Sequence, residues 1–173
     1  MSLRRVQNPA NRERFLTQRA TMVRACPPPV ECRPRMAALT PLLFSAAAQA
    51  DKTTAFLWHG SAAKSVELIA KSNLDPRLNG KNGIVYGKGA YLARTPATSL
   101  GFCLPGKRGG TLKMLLVKAL IGRHKTRGVT TMVKPPQGFD SVVNNVQSPE
   151  IHVVFDMAQL YPAYVIEFDQ RRR

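Results

Sequence analysis

The chain has 173 residues, 44% of them apolar, which is enough to bury a core and too many for a disordered polymer. Its formal charge is +16, and its three cysteines, Cys26, Cys32 and Cys103, form neither a disulfide framework nor a zinc-spaced set. These figures exclude a cystine-stapled miniprotein and a structural zinc module, and they favour phosphate-bearing or acidic ligands.

In chain order, Asn8-Pro9 predicts a helix start, with asparagine as N-cap and proline at the first helical position. Phe15, Leu16, Ala20 and Val23 then recur at helical spacing, so one face of 9–24 is expected against the core. Cys26-Pro27-Pro28-Pro29 ends that helix, and 26–53 reads as an irregular Ala/Pro-rich connector. The N-terminal stretch is charged throughout, unlike a signal peptide, and no run is long and apolar enough to span a bilayer. The expectation is an intracellular protein, nuclear or cytoplasmic, monomeric, with no membrane partner.

Ala55 to Trp58 predicts a strand leading into His59-Gly60-Ser61, with Ser61 as cap of a helix that carries Val66, Ile69 and Ala70. Residues 73–89 are punctuated by glycines and read as loop. Ala90 to Ala93 is a short strand, and Thr95-Pro96 opens a short helix through Ser99 and Phe102. Thr111 to Ile121 is the longest strand candidate. Ile151 to Phe155 and Tyr164 to Phe168 follow, with Tyr161-Pro162 as the turn between them. Strands dominate and the helices are short, so the fold class is α+β with a largely antiparallel sheet, one domain over 1–173.

Charge is distributed unevenly. No acidic residue stands between Asp75 and Asp140, whereas Arg77, Lys81, Lys88, Arg123, Lys125, Arg127 and Lys134 all do. Gly83 to Gly89 fits neither a Walker loop nor a dinucleotide fingerprint. Ser61 is not in a nucleophile elbow, and no carboxylate pair stands out for glycosidase chemistry.

The ordered set is more specific than any one motif. Leu57-Trp58-His59-Gly60-Ser61, then Gly83-Ile84-Val85-Tyr86-Gly87-Lys88-Gly89-Ala90-Tyr91-Leu92, Ser99-Leu100-Gly101-Phe102 and Ile151-His152-Val153-Val154-Phe155-Asp156 with Gln159 resemble the poly(ADP-ribose) polymerase family. The likeness runs from about residue 3 to 168, with the connector as the main departure. It implies a split antiparallel sheet whose cleft takes NAD⁺ as substrate, with no metal. His59 would hold the adenine-side ribose hydroxyl, and the Gly60 backbone and Ser99 the nicotinamide amide. Tyr91 and Phe102 would sandwich the nicotinamide ring, flat aromatics attracting a cation by about 0.5–2 kcal/mol. Arg77 would lie over the adenosine end, with Lys81 and Lys88 flanking the cleft. Family members usually carry tyrosine where Phe102 stands; the stacking face survives.

Polymer-forming members carry a glutamate where this chain has Ile151, and the resemblance implies transfer of single ADP-ribose units to a protein acceptor, self or other, with nucleic acid as a further acceptor class. Strand alternation puts Ile151 with Val153 and Phe155, and Glu150 with His152. A bulge at Pro149-Glu150 would reverse that assignment. No helical regulatory subdomain precedes the first motif, so activity is expected without a DNA-break signal. Competing readings are a catalytically silent NAD⁺ or ADP-ribose binding module, an RNA 2′-phosphotransferase and a nucleic-acid-binding protein. The first would tend to lack His59, and the last lacks aromatic-interleaved basic motifs.

Overall fold

The computed structural model describes residues 1–25, 53–78, 84–105 and 111–169. The expected connector lies outside them apart from Thr53, as do Cys26, Cys32 and Lys81. In chain order come β1 (Ser2–Arg5), α1 (Pro9–Ala25), β2 (Thr54–Gly60), α2 (Ala63–Ser72) and a 3-10 turn at Pro76–Leu78. Next are β3 (Ala90–Ala93), α3 (Pro96–Leu100), β4 (Leu112–Leu120), β5 (Val142–Val143) and β6 (Ile151–Val154). A second 3-10 turn, Met157–Gln159, leads into β7 (Leu160–Phe168). The strands form one seven-stranded sheet in the order β1-β7-β4-β2-β3-β6-β5, with every neighbouring pair antiparallel. The α+β, antiparallel expectation holds.

Alternation along β2 sets two apolar layers. Ala55 and Leu57 join Leu115, Val117, Leu92 and Val154 on one face, where α2 adds Val66 and Ala70. Phe56 and Trp58 join Leu112, Met114, Leu116 and Ile166 on the other. The sheet is split. β2 and β4 pair over seven positions, whereas β2 and β3 share only Trp58↔Ala93, so a cleft opens beside the end of β2.

Asn8 caps α1 as expected, its Oδ1 accepting from the Asn11 N–H at 3.0 Å, an arrangement typically contributing about 1 kcal/mol. The buried face of α1 differs from the expected one. Phe15 is buried, but its neighbours there are Asn11 and Met22, while Leu16, Ala20 and Val23 are exposed. Spacings of four and seven from Phe15 continue one stripe; Leu16 and Val23 sit about 100° round the helix from it.

Two other local expectations are corrected. Ser61 does not cap α2: Ala62 stands at the N-cap position without a side-chain cap, and the Ala63 N–H donates instead to the Leu104 carbonyl at 3.0 Å. Tyr161-Pro162 is not a turn but lies within β7, opposite Lys118 and Val117. Proline is tolerated there because the register slips between Leu116 and Val117, leaving Ala163 bulged with its carbonyl accepting from the Val6 N–H at 2.8 Å. The actual turn is the 3-10 segment, capped by Asp156 and closed by buried Gln159, whose Nε2 donates to the carbonyls of Leu120 and Asp140. Strands β1 and β5 escaped the sequence reading, one because all four residues are exposed, the other because it is two residues long.

Candidate active site

The split between β2 and β3 leaves a cavity of about 490 Å³ lined by His59, Gly60, Tyr91, Ser99, Phe102 and Ile151. Residues far apart in sequence thus meet at one place. His59 and Gly60 end β2, Tyr91 lies on β3, Ser99 and Phe102 belong to α3 and its following turn, and Ile151 opens β6. Leu68 of α2, Leu78 and Leu104 complete an apolar wall.

Each side chain has a fixed setting. Nδ1 of His59 lies 2.9 Å from the Tyr91 carbonyl. A carbonyl can only accept, so Nδ1 carries the proton and Nε2 is left as an acceptor. Burial pushes the imidazole below its ordinary range, only partly opposed by that hydrogen bond, so the ring is neutral at pH 7. The Tyr91 hydroxyl is held twice, accepting from the Tyr86 N–H at 2.8 Å and donating to the Gly87 carbonyl at 2.9 Å. Burial raises its pKa, so it stays a neutral phenol. Gly87 can make this turn because its φ is +118°, and a Cβ there would meet the Phe155 ring at 2.9 Å.

Ser99 is buried and donates its hydroxyl to the Trp58 carbonyl at 3.1 Å, keeping lone pairs for an incoming N–H. Its own carbonyl lies so close to Gly60 that a Cβ would stand 1.9 Å from it. Only glycine permits that approach. Phe102 keeps 53% of its surface exposed, a large apolar face turned to open space at the cavity edge.

Arg77 is not brought into this cavity. Its guanidinium clasps Asp75 through Nε at 3.0 Å and Nη2 at 2.7 Å, and the side chain is otherwise solvent-exposed. It borders a second cavity, of about 620 Å³, between α1 and the loop leading to β5. Asp75 borders both cavities, its carboxyl held below the usual range by hydrogen bonds from Arg77. Lys88 is exposed and borders neither.

Sequence reasoning missed the supports. Asn144 Oδ1 accepts from the N–H groups of both Glu150 and Ile151, at 3.1 and 3.0 Å, fixing the start of β6. An asparagine in an irregular loop carries no periodic signal. Among the described residues no cluster of histidine, cysteine and carboxylate side chains is arranged to hold a metal ion.

A family model described as the poly(ADP-ribose) polymerase catalytic domain matches residues 1–150. Protein mono-ADP-ribosyltransferase PARP11 of Mus musculus is 36% identical over 137 residues, covering 65% of this chain and 41% of that protein. Protein mono-ADP-ribosyltransferase PARP12 of Homo sapiens is 39% identical over 119 residues, covering 65% of this chain and 16% of that protein. Protein mono-ADP-ribosyltransferase PARP14 of Homo sapiens is 31% identical over 122 residues, 7% of its length. The chain therefore spans less than half of these relatives. With residues 1–150 matched and the split-sheet cleft in place, the chain belongs to the poly(ADP-ribose) polymerase catalytic-domain family.

Proposed function

We propose that this chain transfers single ADP-ribose units from NAD⁺ to an acceptor, releasing nicotinamide. The observation that carries the reading is the convergence of neutral His59, the close-approach Gly60, pinned Tyr91, exposed Phe102 and aliphatic Ile151 on one cavity. The names of the curated relatives, mono-ADP-ribosyltransferases, support it.

In this reading the nicotinamide ring lies between Tyr91 and Phe102, its amide against Gly60 and Ser99. The lone pair on Nε2 of His59 accepts from a ribose hydroxyl. The bond between C1′ of the ribose and the nicotinamide nitrogen breaks, and its electron pair leaves with nicotinamide. The acceptor's nucleophile attacks C1′ from the opposite face and gives its proton to solvent. The protein supplies position and a fixed electrostatic setting rather than a free base: among the described residues the ionisable groups lining this cavity are His59, Tyr91, whose hydroxyl is already engaged with Tyr86 and Gly87, and Asp75, which Arg77 clasps. A protein acceptor, self or other, is the partner we propose.

NAD⁺ labelled in its adenylate half tests this. Covalent label is expected on the protein or an added acceptor, sizing as one ADP-ribose, and His59→Ala should cut the rate about 100-fold through misplacement of the ribose. Tight NAD⁺ binding with no covalent label would convert the chain into a silent binding module and overturn the proposal.

A further inference from the structure

The loop 122–141 and the turn 84–89 form one lobe beside the cleft. The Lys88 N–H donates to the Met132 carbonyl at 2.7 Å, and the Thr130 hydroxyl to the Val85 carbonyl at 3.3 Å. Gly128 packs so tightly that a Cβ would stand 2.0 Å from the Tyr86 carbonyl. The lobe is also tied to the sheet, since the Gly128 N–H donates to the Val143 carbonyl and the Val143 N–H to the Thr126 carbonyl. Through Tyr86 and Gly87 it grips the Tyr91 hydroxyl, so its position relative to the cavity is fixed.

Its surface is basic and aliphatic together. Lys88, Arg123, Lys125, Arg127 and Lys134 are exposed on it. Arg123 is tied to Asp140 at 3.6 Å; the other four make no ion pair with a described residue. The same two segments carry Val85, Val129 and Val133, each more than half exposed. Like charges grouped on one lobe repel one another, and exposed branched aliphatics cost hydration, so the lobe fits a partner that answers both.

We infer that this lobe docks the acceptor, and that the acceptor is a peptide segment bearing acidic residues among small apolar ones. Valines favour a peptide over nucleic acid, because they give bases no flat surface to stack on, and backbone phosphates alone leave them uncovered. The inference deepens the transfer reading at the acceptor side and rests on it for the word acceptor, but the docking is a binding event measurable without turnover.

The experiment uses the whole chain and three probes: a fluorescent peptide alternating glutamate and valine, its glutamine counterpart, and a single-stranded oligonucleotide. K125A/R127A/K134A is compared with R12A/R14A/R24A, which removes equal charge from exposed positions of α1. The acidic peptide is expected to bind the wild type and the α1 variant alike, and the lobe variant about tenfold or more weakly, while the glutamine peptide binds none. Thermal melting and nicotinamide release into water should be unchanged in the lobe variant, whose altered side chains are exposed. Equal weakening in both variants would reduce the lobe to a share of the overall positive field and overturn the inference. Preferential, lobe-dependent binding of the oligonucleotide over the acidic peptide would overturn it in favour of nucleic acid. Lobe-dependent peptide binding by a protein that never transfers label would leave the docking standing and sink the transferase reading alone.

Discussion

Gly60→Ala isolates what the cleft demands of the backbone. A Cβ at this position would stand 1.9 Å from the Ser99 carbonyl oxygen, 2.9 Å from its carbon and 3.2 Å from Cys103 Sγ. Real Cβ contacts lie beyond 3.0 Å, so β2 and α3 must part by about 1 Å, and both partners are backbone with no rotamer to relieve them. The Ser99 carbonyl also accepts from the Phe102 N–H, at 3.2 Å, so the displacement carries Phe102 with it. The Ser99 hydroxyl bond to Trp58 stretches as well. Overpacking of this kind costs about 1–3 kcal/mol of stability. The same 1 Å at the reacting end costs about 100-fold in turnover. The assays are thermal melting and the rate of nicotinamide release, with Gly101→Ala as the matched control. Gly101 lies in the same turn, has helical φ and ψ, and has open space where its Cβ would be. Its substitution should be neutral or stabilising by about 0.4–1 kcal/mol. Wild-type melting and turnover in Gly60→Ala would refute the close-approach argument outright.

Tyr91→Phe keeps the ring but removes an acceptor from the Tyr86 N–H and a donor from the Gly87 carbonyl; a loss of about 1–3 kcal/mol of stability is expected by chemical denaturation, with NAD⁺ affinity also reduced. Phe102→Ala should weaken a nicotinamide-mimicking inhibitor by about 1–3 kcal/mol in calorimetry while melting stays nearly unchanged, because the ring is half exposed in the free protein. All three histidines have pKa values below 6.5, and burial, with the charges of His124 and Arg94, pushes His152 down to about 3. Below pH 6.5 the unfolded chain binds protons that the folded one refuses, so stability is full above that pH and falls as it drops. His152 alone should account for a loss on the order of 1 kcal/mol at pH 5.5, read as a lower urea midpoint.

Which parts of the molecule could be read from sequence follows from where the information sits. Strands β2, β3, β4 and β6 are short apolar runs bounded by glycine, proline or charge, and local pattern suffices to find them. The cavity residues were legible only as an ordered set, because His59, Tyr91 and Ile151 individually look like ordinary strand residues. What was lost depends on partners remote in sequence. Leu16 and Val23 are apolar on a helix, but which side meets the sheet is decided by Leu120 and Tyr161 packing on Phe15 and Met22. Pro162 reads as a turn until the β4 register slip that accommodates it is known. Arg77 clasps Asp75, two residues away, an ion pair the sequence permits but does not require.

Within the proposed transfer reading, the finest question is which of two adjacent residues faces the donor, since there it decides whether one unit is transferred or many. β3 and β6 pair without interruption as Ala90↔Val154, Tyr91↔Val153, Leu92↔His152 and Ala93↔Ile151. Residues opposite one another in an antiparallel ladder share a face, and Tyr91 and Ala93 share theirs, so Ile151 falls on the Tyr91 side. The Arg94 N–H continues the ladder to the Glu150 carbonyl at 2.9 Å, leaving no place for a bulge to rotate Glu150 inward. Asn144 holds both N–H groups from the other side. Ile151 accordingly lines the cavity and Glu150 does not. An aliphatic side chain can neither stabilise a ribosyl cation nor activate the hydroxyl of a bound ADP-ribose for extension. Glu150→Gln should therefore give the same single-unit product on a denaturing gel, at a rate within about twofold, because a carboxylate outside the cavity is screened by solvent. Long ladders from the wild type that collapse in Glu150→Gln would make Glu150 the catalytic acid and refute the strand-register argument. Ile151→Glu by itself should not create a polymerase, since elongation also needs a surface shaped to seat an ADP-ribose end in line with the donor.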